Sequence, residues 1–149
     1  MPFREKSAWA CLITTVAVFV PYFAYVFFLF RRGILNPGSV IPAFVAAVIF
    51  QTVLNGTAHI GFVIRAKQEA KDERDVAIES KSFKYGYVVL VTACFVAITT
   101  VAPFALAPRS AFTGPMMAFT FMSQVVLLCV ILAEATKYGT RAVCYRRGS

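Results

Sequence analysis

Four stretches of the chain are almost free of charge: Ala8–Phe30, Val40–Ile64, Tyr87–Ala107 and Pro115–Ala133. Each approaches the roughly 20 residues an α-helix needs to cross about 30 Å of hydrocarbon. The pattern within them is continuous, as in AWACLITTVAVFVPYFAYVFFLF, and not the alternation of a membrane β-strand. It predicts an all-α fold, a bundle of four transmembrane helices at about 8–30, 40–64, 87–107 and 115–136, forming a single membrane domain over residues 1–149. The first stretch follows Arg4 and Lys6, as a signal peptide would. Its apolar run is too long for one, however, and it ends in FLFRRG without a small-residue cleavage site, so a retained helix is expected.

The breaks between the stretches differ. RRGILNPGS and PRSAFTG are short and carry Gly and Pro, which mark turns. The segment between the second and third stretches has no Gly or Pro from Phe62 to Tyr85. It gathers Lys71, Asp72, Glu73, Arg74, Asp75, Glu79, Lys81 and Lys84. Helix-end electrostatics explains much of this charge. With a break near Ala70–Asp72, Arg65, Lys67 and Lys71 end one helix, where the macrodipole favours cations. Asp72, Glu73 and Asp75 begin the next, where it favours anions. Asp72 is then an N-cap and Asp75, three residues on, closes a capping box. The third helix therefore starts near residue 72 and runs about 22 Å before Tyr87. A charged helical hairpin between helices 2 and 3 is expected on the cytoplasmic side. Val76, Phe83 and Tyr87 form one stripe along its second arm. Arg74 stands among the acids, where the dipole does not favour a cation. Three acids in four residues could attract a hard cation, but the neighbouring bases and the missing Gly turn argue against that.

Orientation follows the distribution of Lys and Arg. Twelve of the fifteen fall with the N-terminus, the second loop and the C-terminus; only Arg31, Arg32 and Arg109 fall opposite. Both termini are therefore expected in the cytoplasm, and Trp9, Tyr85, Tyr87 and Tyr138 fall at that boundary. Composition agrees: 59% of residues are hydrophobic and the mean hydropathy is +0.71, against about 45–50% apolar residues in soluble domains. The net charge of +8 then belongs to a face meeting anionic lipid, and nucleic-acid binding is not expected. The basic tail RAVCYRRGS is expected to lie on that lipid.

Polar residues within the spans normally face other helices. Gln51, Asn55 and His59 recur every four positions in the second stretch and share a face, with Thr52 and Gly56 beside it. Ser123, Gln124 and Glu134 are in the fourth. His59 and Glu134 fall at similar depth, so they could pair. Alternatively, Glu134 pairs with Lys137 three residues on and His59 bonds within the bundle. Pro21 and Pro103 are expected to kink their helices. Cys11, Cys94, Cys129 and Cys144 are scattered singly, without CxxC, and are read as small buried residues.

No reaction centre is legible. One His excludes bis-His haem within the chain, and HExxH, GxSxG and the P-loop are absent. Asn55-Gly56-Thr57 is a sequon buried in a span. A non-enzymatic protein without cofactor or metal is expected. Two functions compete. In the first, the chain is an accessory or regulatory subunit that binds a cytoplasmic partner through Asp72, Glu73, Arg74, Asp75 and Glu79. In the second, it is a small oligomeric transporter or channel with Gln51, Asn55, His59 and Glu134 along a polar path.

EKSAW (Glu5–Trp9), KDERDVAIESK before the third stretch and RRG near the end resemble an uncharacterised family of small bacterial four-helix inner-membrane proteins. The shared cytoplasmic segment has the form DER[DE]-x3-IE, matched by Asp72, Glu73, Arg74, Asp75, Ile78 and Glu79. The resemblance implies a bacterial inner membrane. It supplies no catalytic residue.

Overall fold

The computed structural model describes residues 3–63, 72–101 and 114–147, with side chains over 5–57, 72–100 and 114–147. Four helices account for nearly all of it: α1 (Phe3–Arg31), α2 (Pro37–Val63), α3 (Glu73–Val96) and α4 (Pro115–Arg147). A π-helical turn, Ala97–Val101, prolongs α3. All four are long and apolar enough to cross a membrane.

Local chemistry sets the ends. After α1 the chain takes a left-handed Gly33 (φ 70°). Gly33 N–H donates to the Phe30 carbonyl at 3.0 Å and Ile34 N–H to Leu29 at 3.1 Å. This pair of bonds is a Schellman stop, favoured by glycine's freedom at positive φ. Asn36 then opens α2: its Oδ1 accepts from Ser39 N–H at 3.0 Å. Pro37 takes the first helical position, where a missing N–H costs nothing. At the far end of α3, the Thr99 and Thr100 hydroxyls donate to the carbonyls of Phe95 (2.8 Å) and Val96 (2.6 Å). The widened π turn falls just before Pro103, a residue with no N–H for the carbonyl four positions back. Pro103 itself lies outside the described residues, as does the 64–71 half of the expected hairpin.

The helices pack pairwise in the order α2, α1, α4, α3. The most extensive contact is α3 with α4, followed by α4 with α1 and α1 with α2; among the described residues, α1 is the one extensive neighbour of α2. The apolar core gathers Val18, Phe19, Tyr22, Val26 and Leu29 of α1, Leu35, Val40 of α2 and Met117 of α4. Ile41, Val45, Ile49 and Val53 of α2 stay exposed, as lipid-facing residues would.

One expectation changes. Hydropathy placed the end of the fourth helix near 136. Instead α4 continues unbroken to Arg147, with Ala142 and Cys144 buried. Those last turns pack on helices, because their small residues offer a close-fitting face. On α3, the stripe Val76–Phe83–Tyr87 points outward, and the face against α4 is Ile78, Ser82 and Gly86. A Cβ added to Gly86 would sit 3.1 Å from the Ala133 carbonyl oxygen and 3.3 Å from Lys137 Cβ. Small residues let the backbones approach this closely. At the basic end α3 and α4 stay paired, with Glu79 meeting Arg141.

Candidate functional site

The start of α3 forms as its acids dictate. Asp72 has extended backbone (φ −79°, ψ 156°) and its Oδ1 accepts from Glu73 N–H at 2.7 Å. Asp75 Oδ2 reciprocates by accepting from Asp72 N–H at 3.1 Å, closing the capping box. These bonds satisfy amide groups that a helix start otherwise leaves open. One and two turns on, Glu79 reaches across to α4, where Arg141 Nη2 donates to its Oε1 at 3.1 Å. Asp72, Asp75 and Glu79 are thus engaged within the chain. Glu73 and Arg74 are exposed, and neither side chain has a partner among the described residues.

Next along α4, Lys137 Nζ donates to Glu134 Oε2. The lysine side chain is only 13% exposed and the glutamate 44%. The ammonium lies 5.2 Å from the Phe83 ring centre and 4.7 Å from that of Tyr138. Ring quadrupoles and a carboxylate together compensate a cation drawn out of water. Glu134 therefore has its counter-ion on its own helix. The His59 side chain lies outside the described residues, and with it the question of a His59–Glu134 pair.

The polar face of α2 turns to α1. Gln51 Nε2 donates to Thr15 Oγ1 at 3.0 Å, and Thr15 donates onward to the Cys11 carbonyl at 2.7 Å. Thr14 Oγ1 lies 2.7 Å from Asn55 Oδ1. Its single hydrogen chooses between that oxygen and the carbonyls of Ala10 and Cys11. Gln51 Oε1 is buried without a donor among the described residues. Further along α1, Tyr22 donates to Gln124 Oε1 of α4 at 2.5 Å. Gln51 and Asn55 therefore bond to neighbouring residues of α1, and Glu134 to Lys137 on its own helix.

Several contributors carried no sequence signal of their own. Thr14, Thr15 and Tyr22 are ordinary span residues until a partner helix faces them. Glu5 is buried, 3% exposed, and its Oε1 has no partner among the described residues. Cys94 and Cys129, 35 positions apart, are brought near each other across the α3–α4 contact, and both are free thiols. The close pair that spacing alone did not suggest is thus formed by packing. Among the described residues, no three His, Cys, Asp or Glu side chains gather as a metal site would need. No family model, curated protein or solved structure matches the chain.

Proposed function

We propose that this is a multi-pass protein of a bacterial inner membrane, with both termini cytoplasmic, that performs no chemistry itself and engages a cytoplasmic protein through the tip of α3. The observation carrying this reading is the contrast within one turn. Asp72 and Asp75 are engaged in capping and Glu79 in an ion pair, whereas Glu73 and Arg74 are exposed and without partners among the described residues. A charged pair held on a capped helix end is pre-organised, which lowers the entropy lost on binding. The packed α3–α4 pair gives it a firm support. The basic end also meets anionic lipid.

A polar path along α2 has less support, since Gln51 and Asn55 bond to α1. The test is a photo-crosslinking side chain placed at Ala77, one turn from Arg74, in cells. The adduct is expected to disappear in Glu73→Lys/Arg74→Glu and to return when the partner's contacting charges are reversed. An adduct unchanged by the double reversal would refute the docking role.

A further inference from the structure

Beside the α3–α4 contact, on its outer side, is an open groove of about 460 Å³. Lys81 and Tyr85 of α3 line one wall, and Thr140 and Arg147 of α4 the other, over a floor that includes Gly139 and Val143. Every polar group named here is a donor. No acid lines the groove. The two nearest carboxylates on these helices are already neutralised, Glu79 by Arg141 and Glu134 by Lys137. Lys81 and Arg147 have no ion pair among the described residues, and Tyr85 donates no hydrogen bond there.

Thr140 sharpens the picture. Most other described threonines, among them Thr52, Thr57, Thr120 and Thr136, bond back to a carbonyl of the preceding turn, whereas Thr92 does not. Thr140 makes no such bond. Its hydroxyl remains available to an occupant of the groove. Two cations and two hydroxyls converging on one concavity match the oxygens of a phosphate.

Position decides which phosphate. Tyr85 and Thr136 stand where the apolar runs end, and Lys81 and Thr140 lie one turn, about 6 Å, further out. That step matches the headgroup layer, which adds about 5–8 Å to each side of the hydrocarbon. Arg147, whose backbone is about 16 Å beyond Thr136, lines the groove through its long side chain. On the same helical faces, one turn inward, are exposed apolar Val88 and Leu132, where acyl chains would run. We infer that the groove binds the phosphate of an anionic phospholipid, with Lys81, Arg147, Thr140 and Tyr85 as donors. The inference rests on the membrane reading above, and the two can fail separately.

The experiment uses the full chain in nanodiscs containing phosphatidylglycerol in phosphatidylcholine, with retained lipid counted by native mass spectrometry. Lys81→Ala/Arg147→Ala is expected to lower phosphatidylglycerol retention about thirtyfold, roughly fivefold for each charge-assisted hydrogen bond to the phosphate. Lys84→Ala/Arg146→Ala removes the same charge from exposed positions outside the groove and is expected to leave retention unchanged. Thr140→Val, which keeps every charge, is expected to lower it about threefold. Equal losses from both double variants, or no loss from Thr140→Val, would overturn a defined site in favour of a diffuse field. Displacement of the lipid by millimolar inorganic phosphate would overturn the lipid assignment. Alkaline carbonate extraction of the wild-type chain checks the premise: release from membranes would remove the membrane reading itself.

Discussion

The α3–α4 and α1–α2 pairs are both antiparallel, yet different forces hold them. In α3–α4 the backbones meet at Gly86 and Ala133, the thiols of Cys94 and Cys129 lie near each other, and Arg141 bridges to Glu79. The contact runs from span to basic end. In α1–α2 the join is a short capped turn, an apolar cluster around Tyr22 and Phe44, and two side-chain bonds, Thr14 to Asn55 and Gln51 to Thr15. Ile41, Val45, Ile49 and Val53 on another face of α2 are exposed. Close backbone approach makes one pair intolerant of added volume. Side-chain glue leaves the other adjustable.

The largest predicted effect tests that difference directly. Gly86→Leu must push Ala133 and Lys137 aside and is expected to destabilise the chain by about 3 kcal/mol, the upper range for overpacking. Gly56→Leu, on α2, meets nothing within 4 Å of its new Cβ and is expected to be near neutral. Steric-trapping unfolding in bicelles measures both. Equal costs would erase the distinction between the pairs. Oxidation in a Cys11→Ala/Cys144→Ala background provides an independent check. An internal Cys94–Cys129 crosslink is expected, because the thiols already lie near each other.

How much of this was legible follows the range of each force. The four spans and the α3 cap came from neighbours a few residues apart, and Asp72 with Asp75 closes the predicted box. Hydropathy failed at the end of α4 because it reports where lipid ends, not where backbone hydrogen bonds stop. The Ile78–Ser82–Gly86 face was hidden because a stripe of small residues draws its meaning from the helix opposite. Likewise Glu79 and Arg141, 62 positions apart, become a pair only through packing. Of the intramembrane set, spacing put Gln51 and Asn55 on one face correctly, but only the packed helices show that Thr15 and Thr14 are their partners.

A middle-sized effect is expected at the basic end. Glu79 and Arg141 are each about a quarter exposed, so solvent screens them, and a double-mutant cycle with Glu79→Gln and Arg141→Gln is expected to give about 1 kcal/mol of coupling. High salt should reduce that coupling. Asp72→Ala removes the cap and is expected to cost about 1 kcal/mol. Arg74→Ala, two residues away, is expected to change stability by less than about 0.5 kcal/mol. If Arg74→Ala proved as costly as Asp72→Ala, Arg74 would be a structural residue and the partner reading would lose its basis.

The smallest effects belong to the α1–α2 seam, and they divide in an informative way. Thr14 and Asn55 bond at 2.7 Å, and interhelical bonds of this kind contribute about 0.6 kcal/mol in membranes because the separated helices find other partners. Asn55→Leu should cost about that much. Gln51 is different. Its Nε2 bonds to Thr15, but its Oε1 is buried without a donor among the described residues. Gln51→Leu loses one modest bond and also removes an orphaned oxygen, whose burial is unfavourable by about 1–3 kcal/mol. The two terms oppose each other, so Gln51→Leu is expected to be neutral or slightly stabilising, while Asn55→Leu is not. A marked loss of stability in Gln51→Leu would mean that Oε1 has a donor in the membrane, and a water-bearing route along α2 would regain its footing. Cysteine labelling at position 51 would separate these cases, since a packed seam is protected from aqueous reagents and a route is not.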